Sequence, residues 1–227
     1  MGHLALFAPC FVDQLWPQAA QAAVQLIEAL GHEVELGEAV CCGQVFGNSG
    51  DEQRAQDLER RWLRAHERFD SVILLGASCT GYIRARTERG GIEDFCEWMV
   101  REGPARFPNP LARQVAVHHS CASLRETRSA KALAELLRRV PDLRVQEATR
   151  SDECCGFGGS FSVNFPELSV RMGQDKLAEL QEAGPVESIV SADCSCLLHL
   201  RSLDAEGMGA KGTRFQHIAE VLLEASR

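Results

Sequence analysis

The cysteines of this chain repeat. Ten cysteines stand among its 227 residues, and eight of them form two groups with the same spacing. The paired positions are Cys10 and Cys121, Cys41 and Cys154, Cys42 and Cys155, and Cys79 and Cys196, at offsets of 111, 113, 113 and 117 residues. A near-constant offset is typical of an internal duplication. We therefore expect the chain to contain two copies of one structural unit.

The segments around the cysteines predict the same elements in each copy. Apolar runs at 3–9 and 115–120 each end at a cysteine, as buried strands would. Two helical patterns, a short strand and a third strand follow in each copy, the third strands at 71–76 and 187–191. This alternation predicts an α/β fold with two pseudo-repeated, Rossmann-like βαβαβ halves and parallel sheets.

The same pattern predicts how the chain is divided. Residues 1–102 form the first copy, and a segment with three prolines at 103–110 is the expected linker. Residues 111–227 form the second copy, which ends in a helix predicted over 215–225. Because ligands of open parallel sheets gather beyond the carboxyl ends of the strands, the four cysteines of each copy should meet at one edge of its sheet.

Thiolates are the soft ligands that iron–sulfur clusters and zinc prefer. Two adjacent cysteines cannot easily chelate one zinc ion, but each can reach a different iron of one cluster. The pairs at 41–42 and 154–155 therefore favour a cluster. The candidate metal ligands are Cys10, Cys41, Cys42, Cys79, Cys121, Cys154, Cys155 and Cys196, with Cys194 and His199 as weaker candidates. A zinc site, a dithiol redox role and simple packing remain as alternatives.

Glycines follow both cysteine pairs. Gly43 comes directly after the first pair, and Gly156, Gly158 and Gly159 follow the second. Glycine allows the backbone to approach a negatively charged cluster closely enough for its N–H groups to offset the charge. We expect these four glycines to form the loops that hold a cofactor. The sequence contains no pattern from which a catalytic residue can be assigned.

The remaining cysteine and several histidines are expected to be structural. Cys96 lies outside the repeat and is predicted to be a core residue. His118 and His119 are interpreted as ordinary strand-end residues, with a hydrogen bond to a cluster sulfur or proton supply as the alternative. His66 and His217 are expected to face solvent.

Charge and hydropathy exclude some functions. The formal net charge is −8, which argues against nucleic acid as a partner because phosphate binding needs clustered lysine and arginine. The sequence contains no run of about 18 apolar residues, so we expect no membrane span. The opening residues also lack the features of a secretory signal. We therefore expect a cytoplasmic protein, in which disulfides are disfavoured.

The motifs together resemble a known family. The segments FAPCFVDQLWP, EAVCCGQVFGNSGD, GASCTGYIR, HHSCASLRE and ECCGFGGSFSVNFPELS follow one another through almost the whole chain. This order resembles the cysteine-rich CCG-domain family, which includes iron–sulfur subunits of heterodisulfide reductase and glycolate oxidase and proteins of lactate utilization. The chain is similar in particular to the lactate-utilization branch.

The resemblance implies a function. It implies one or two iron–sulfur clusters of the [4Fe-4S] type in an electron-transfer subunit. That subunit would work with the other subunits of an L-lactate oxidation complex and meet the small 2-hydroxy acid only indirectly. Glycolate-type and heterodisulfide-type subunits are alternatives within the family. A zinc- or thiol-based structural or redox-sensing module is the alternative from another class.

The chain departs from the family pattern at the end of the cysteine motif in both halves. The family's motif ends in CxxC, whereas Cys79 and Cys196 are followed three residues later by Tyr82 and His199. The five-thiolate cluster of the heterodisulfide branch is therefore not implied here, and each half offers four repeat cysteines.

Overall fold

The chain folds into two parallel α/β sheets with helices around them. The structure, a computed structural model, describes residues 2–208 and 212–227. The strands are β1 Leu4–Phe7, β2 Val34–Leu36, β3 Ser71–Leu74, β4 Ile92–Asp94, β5 Gln114–Val117, β6 Arg144–Glu147, β7 Ser188–Ser191 and β8 Arg214–His217. The helices are α1 Cys10–Leu15, α2 Pro17–Ala29, α3 Gln44–Asn48, α4 Glu52–Ala65, α5 Ala77–Arg84, α6 Phe95–Glu102, α7 Cys121–Arg125, α8 Ala130–Arg138, α9 Ser160–Asn164, α10 Pro166–Leu180, α11 Cys194–Leu203 and α12 Ile218–Ser226.

Both sheets have the same topology. The strand order is β2-β1-β3-β4 in one and β6-β5-β7-β8 in the other, and every pairing is parallel. In this order the chain first moves outward from β1 to β2 and then crosses back to β3. The carboxyl ends of β1 and β3, and likewise of β5 and β7, therefore flank a topological switch point, which is where such sheets bind ligands.

The expected α/β class, the parallel sheets and the two similar halves are confirmed, but each half has a fourth strand that the sequence prediction missed. β4 and β8 are only three and four residues long. The helix predicted over 215–225 was wrong at its start. Phe215 pairs with Ile189 as part of β8, and the helix begins at Ile218. The start was misplaced because residues 214–217 pair with β7 as a strand, and the helix begins only after them.

One apolar core extends across both halves. Trp16 and Ile27 of the first half pack in the same cluster as Leu137 and Leu222 of the second. Helix α12 lies along α2, and α6 lies along α8. A smaller cluster, including Phe7 and Trp62, fills the other face of the first sheet. The division into copies at the 103–110 linker remains a prediction.

Two histidines lie inside this packing, contrary to expectation. His66 is buried, its ring is stacked on Trp62 with centroids 4.4 Å apart, and its Nδ1 lies 2.7 Å from the Trp62 carbonyl. His217 is buried at the start of α12, where its Nδ1 accepts a hydrogen bond from the Ala219 backbone N–H. The prediction failed because tertiary packing buries both rings, and backbone groups bond both nitrogens of His217 and the Nδ1 of His66. Cys96 is buried in the core, as predicted.

Among the residues that the structure describes, no helix is both long enough and apolar enough to cross a membrane.

Candidate metal centres

The strand ends carry the repeat cysteines of the first half to one place. Cys10 is the first residue of α1, directly after β1, and Cys79 is the third residue of α5, after β3. Cys41 and Cys42 lie in the loop between β2 and α3. Since the carboxyl ends of parallel strands share one edge, residues up to 69 positions apart meet there.

The four sulfurs of the first half form a chain of contacts in sequence order. The Cys41 thiol group contacts the thiols of Cys10 and Cys42. The Sγ atoms of Cys42 and Cys79 are 3.1 Å apart. We call these four residues the first sulfur set.

The second half reproduces this arrangement. Cys121 begins α7 after β5, and Cys196 is the third residue of α11 after β7. The Cys154 thiol group contacts those of Cys121 and Cys155, and Cys155 contacts Cys196. These four residues are the second sulfur set. All ten cysteines of the chain are free.

The contacts within each set separate the pKa values of the thiols. Hydrogen bonds from Cys10 and Cys42 hold the pKa of the Cys41 thiol far below its ordinary value. The corresponding bonds from Cys121 and Cys155 lower the pKa of Cys154. The pKa of Cys10 is raised, first because its thiol donates to Cys41 and then because of burial.

Each set therefore favours one thiolate and opposes further deprotonation. Four crowded sulfurs can all become thiolates only when a cation offsets their charge, since an uncompensated buried charge is costly. The donor set thus fits a thiophilic metal group.

The glycines after the cysteine pairs have the geometry that such loops need. Gly43 and Gly156 have φ of 92° and 89°, and each backbone N–H points at the sulfur two residues earlier, at 3.4 Å. A Cβ at Gly43 would lie 2.8 Å from the Ala55 carbonyl oxygen. Gly158 and Gly159 also have positive φ, 55° and 60°, and lead into α9. The loops therefore require glycine and bring donors to the sulfur sets.

Both sulfur sets face one cavity. Its volume is about 570 Å³, and its lining includes all eight repeat cysteines together with Cys194, Asp193 and Glu126. Phe11 of the first half and Phe157 of the second meet edge to face beside it, with ring centroids 5.4 Å apart. The two sites are thus parts of one region between the sheets and not two remote centres.

Two weaker candidates lie nearby in different settings. Cys194 is buried and lines the cavity, and burial raises the pKa of its thiol well above the ordinary value. His199 packs between α11 and α10, where its Nε2 lies 3.3 Å from the Ser169 carbonyl oxygen. Their role as ligands remains a prediction.

One histidine lies closer to the sulfurs than the sequence indicated. A ring nitrogen of His118 and the Sγ atoms of Cys155 and Cys196 all lie within 4.8 Å of one another. His118 is only 2% exposed. In the sequence, only its position directly after an apolar strand indicated that His118 lies at the strand end. The burial of its ring beside two sulfurs depends on tertiary packing, which the sequence pattern does not show.

A buried ion pair supports the second cysteine loop and was not foreseen from sequence. Lys176 and Glu179 of α10 are both 1% exposed in their side chains, with Nζ and Oε2 2.6 Å apart. The Lys176 ammonium also donates to the Arg150 carbonyl at 2.8 Å. The pair therefore anchors the segment that leads to Cys154 and Cys155.

Comparison with known proteins agrees with this architecture. A family model described as a cysteine-rich domain, CCG, matches residues 4–84 and 115–201, one match for each sulfur set. The fold and the paired cysteine sites define a protein of this class, and the chain belongs to the CCG cysteine-rich domain family.

Relatives that align with this chain over nearly their whole length carry a common name. A protein of Exiguobacterium sp. named Lactate utilization protein A is 31% identical over 99% of this chain and 98% of its own length. A protein of the same name from Bacillus subtilis is 30% identical over 96% of this chain and 98% of its own length.

One solved structure shares the fold. A hypothetical protein from Helicobacter pylori superposes with a TM-score of 0.72 over 98% of this chain, at 12% sequence identity. This chain spans about half of that longer one, 49%. The likeness supports the architecture alone.

Proposed function

We propose that this protein is an iron–sulfur electron-transfer subunit that takes part in the oxidation of lactate. The convergence of eight repeat cysteines into two sulfur sets around one cavity carries the proposal. Four thiolates are the usual ligands of a [4Fe-4S] cluster, and each half supplies four. The family membership and the Lactate utilization protein A relatives support the same assignment.

The residues of the chain have distinct roles in this proposal. The first set would hold one cluster and the second set another, and such clusters supply one-electron transfer. The Gly43 and Gly156 N–H groups donate to Cys41 and Cys154 and offset negative charge at those sulfurs. The largely apolar cavity lining keeps the sulfur sets in a low-dielectric setting, where burial and hydrogen bonds tune a reduction potential.

The name of the relatives, Lactate utilization protein A, supports a proposal for the partners and the substrate. We propose that the electrons derive from L-lactate oxidised by another subunit of a complex, so that the 2-hydroxy acid is met only indirectly. Glycolate is the competing substrate within the family. We also propose a cytoplasmic location, because a reducing compartment keeps clustered thiols available to bind a metal group.

Iron and acid-labile sulfide measured on protein purified without oxygen test the proposal. We expect up to about eight irons per chain for two four-iron clusters, with EPR signals after reduction. Cys42→Ser and Cys155→Ser should each remove the iron of one half. Cys96→Ala removes an equally buried thiol outside both sets and should keep all the iron. Reconstituted protein that takes up neither iron nor sulfide contradicts the proposal.

The second candidate is a zinc- or thiol-based structural or redox-sensing module. The grouping of one His118 nitrogen with the sulfurs of Cys155 and Cys196 favours it, because zinc sites combine these ligand types. This candidate predicts stoichiometric zinc by elemental analysis, no acid-labile sulfide, and a loss of folding stability when a chelator is added.

A further inference from the structure

The two sulfur sets are equal in cysteines but differ at the end of the central strand. β1 and β5 occupy the same place in their sheets, since Leu6 pairs with Ile73 in one and Val117 pairs with Val190 in the other. The next residue along each strand is Phe7 in the first half and His118 in the second. Phe7 and His118 are therefore structural equivalents.

Phe7 has a wholly hydrophobic role. It is 1% exposed, and its ring meets Trp62 and His66 edge to face at centroid distances of 5.5 and 5.4 Å. Its side chain has no polar atom. The strand end of the first half thus contributes packing and no hydrogen bond to the sulfurs beyond it.

His118 brings a polar ring to the same position. The ring is 2% exposed, and its Nε2 has no hydrogen-bond partner in the described part of the chain. One of its nitrogens groups with the sulfurs of Cys155 and Cys196 within 4.8 Å. Buried polar atoms without partners are rare in native proteins and call for an explanation such as a bound ion or group. A metal group held by Cys155 and Cys196 would lie within reach of the ring.

We propose that His118 contacts the metal centre of the second sulfur set through a ring nitrogen and makes that centre easier to reduce than the centre of the first set. This rests on the proposed function for the identity of the metal group. An N–H bond to a cluster sulfur stabilises the more negative, reduced state. A neutral imidazole that replaces a thiolate ligand also raises the reduction potential. Both forms of contact act in the same direction, and Phe7 supplies neither.

The test compares His118→Phe, which copies the first half, with His118→Gln, which keeps a side-chain N–H donor. Midpoint potentials are measured by EPR-monitored redox titration of the full-length, iron-loaded protein. In His118→Phe one centre should shift to a more negative potential while the other stays unchanged, and the shift in His118→Gln should be smaller. Pulsed EPR of the wild type should show an imidazole nitrogen coupled to one reduced centre, beside the backbone nitrogens that both centres share, and His118→Phe should lose the imidazole signal.

The neighbouring histidine provides the control. His119 is also buried, and its Nδ1 also lacks a partner among the described residues. Its Nε2, however, lies 3.1 Å from the Glu147 carboxylate, and in the described part of the chain only His118 groups with the sulfurs. His119→Gln should therefore leave both potentials and the nitrogen coupling unchanged. Unchanged potentials and coupling in His118→Phe, with wild-type iron content and circular dichroism, would overturn the inference.

Cobalt(II) binding distinguishes failure of the His118 inference from failure of the proposed electron-transfer function. If the wild type takes up no iron or sulfide, the electron-transfer proposal fails. Cobalt(II) binding, followed by its thiolate charge-transfer absorption, then still tests the contact. Weaker binding by His118→Phe than by His119→Gln supports a role for His118 in the second site, and equal binding by the two variants contradicts it.

Discussion

The Trp16 indole N–H donates a hydrogen bond to the Glu220 carboxylate at 2.8 Å, although the two residues are 204 positions apart. Trp16 lies at the junction of α1 and α2 in the first half, and Glu220 lies in the first turn of α12 in the second. Arg201 of α11 stacks over the indole ring at 4.3 Å. The halves are thus joined by a specific polar contact inside their common core.

Trp16→Phe should lower the free energy of unfolding by more than the loss of packing alone would. The change removes the indole N–H from a partly buried carboxylate, and hydrogen bonds to charged groups contribute about 1.5–3 kcal/mol. Trp62→Phe is the matched control, because Trp62 is equally buried but its Nε1 has no hydrogen-bond partner among the described residues. Urea unfolding should give a larger loss for Trp16→Phe, and equal losses would contradict the role of this bond.

The ion pair of Lys176 and Glu179 provides a second test. Lys176→Met leaves the buried Glu179 carboxylate with only a 3.9 Å contact to the half-exposed Arg150 guanidinium, and breaking a buried pair typically costs about 3–5 kcal/mol. Replacing both by Met and Leu should recover part of that free energy of unfolding, because it removes the unpaired charge, although the bonds to the Arg150 backbone stay lost. The exposed pair of Arg60 and Asp57 serves as the control, and its removal should cost less than about 1 kcal/mol. A double variant no more stable than Lys176→Met alone would contradict this account.

The fold could be predicted well from the sequence, because its signals are local. The cysteine offsets revealed the duplication, and apolar runs before Cys10 and Cys121 revealed the central strands. The fourth strand of each sheet was missed. Three residues at Ile92–Asp94 carry too little periodicity to separate β4 from a loop. The helix predicted over 215–225 included most of strand β8, because the pairing of β8 with β7 is a long-range interaction that local spacing does not reveal.

The grouping of the repeat cysteines could be predicted from the sequence, but their surroundings could not. Spacing alone grouped the cysteines, whereas the burial of His118, Lys176 and Glu179 depends on which elements pack together. His217 illustrates the same limit. A histidine at the start of an amphipathic segment is expected to face solvent, yet here it caps α12 and donates to the Ala192 carbonyl from the core.

His217 should make stability depend on pH. Burial lowers its pKa to about 4, although the bond to the Ala192 carbonyl opposes this shift. The unfolded chain, with a histidine pKa of about 6.5, binds more protons between those values. The neutral ring therefore contributes stability above about pH 6.5 that is lost as the pH falls toward 4. The full effect is on the order of 3 kcal/mol, from about 1.4 kcal/mol per pKa unit.

The measurement compares wild type with His217→Asn, since asparagine can cap a helix without titrating. The difference in unfolding free energy between them should shrink as the pH falls from 7 to 4. The comparison is needed because burial raises the pKa of Asp94 to about 6, and that carboxyl group acts oppositely, losing stability as the pH rises. A difference that stays constant with pH would contradict a neutral, buried His217.

Gly43→Ala and Gly156→Ala should each remove the metal from one half while leaving the other loaded. Both positions have positive φ, and the new Cβ would lie 2.8 Å from the Ala55 carbonyl oxygen or 2.6 Å from that of Ser169. The loop must then shift, and the N–H donor to Cys41 or Cys154 shifts with it. Gly31→Ala is the control that separates backbone strain from steric clash. Gly31 also has a positive φ, 85°, but an added Cβ there would have nothing within 4 Å.

The three variants are compared by metal content per chain and by urea unfolding. Gly31→Ala should lose only about 1–2 kcal/mol from the left-handed backbone and keep the full metal content. Gly43→Ala and Gly156→Ala should lose more stability and about half of the metal, because only in these two does backbone lie where the Cβ must go. Full metal content in both would mean that the cysteine loops tolerate displacement and that the N–H groups of these glycines are not needed to hold the metal.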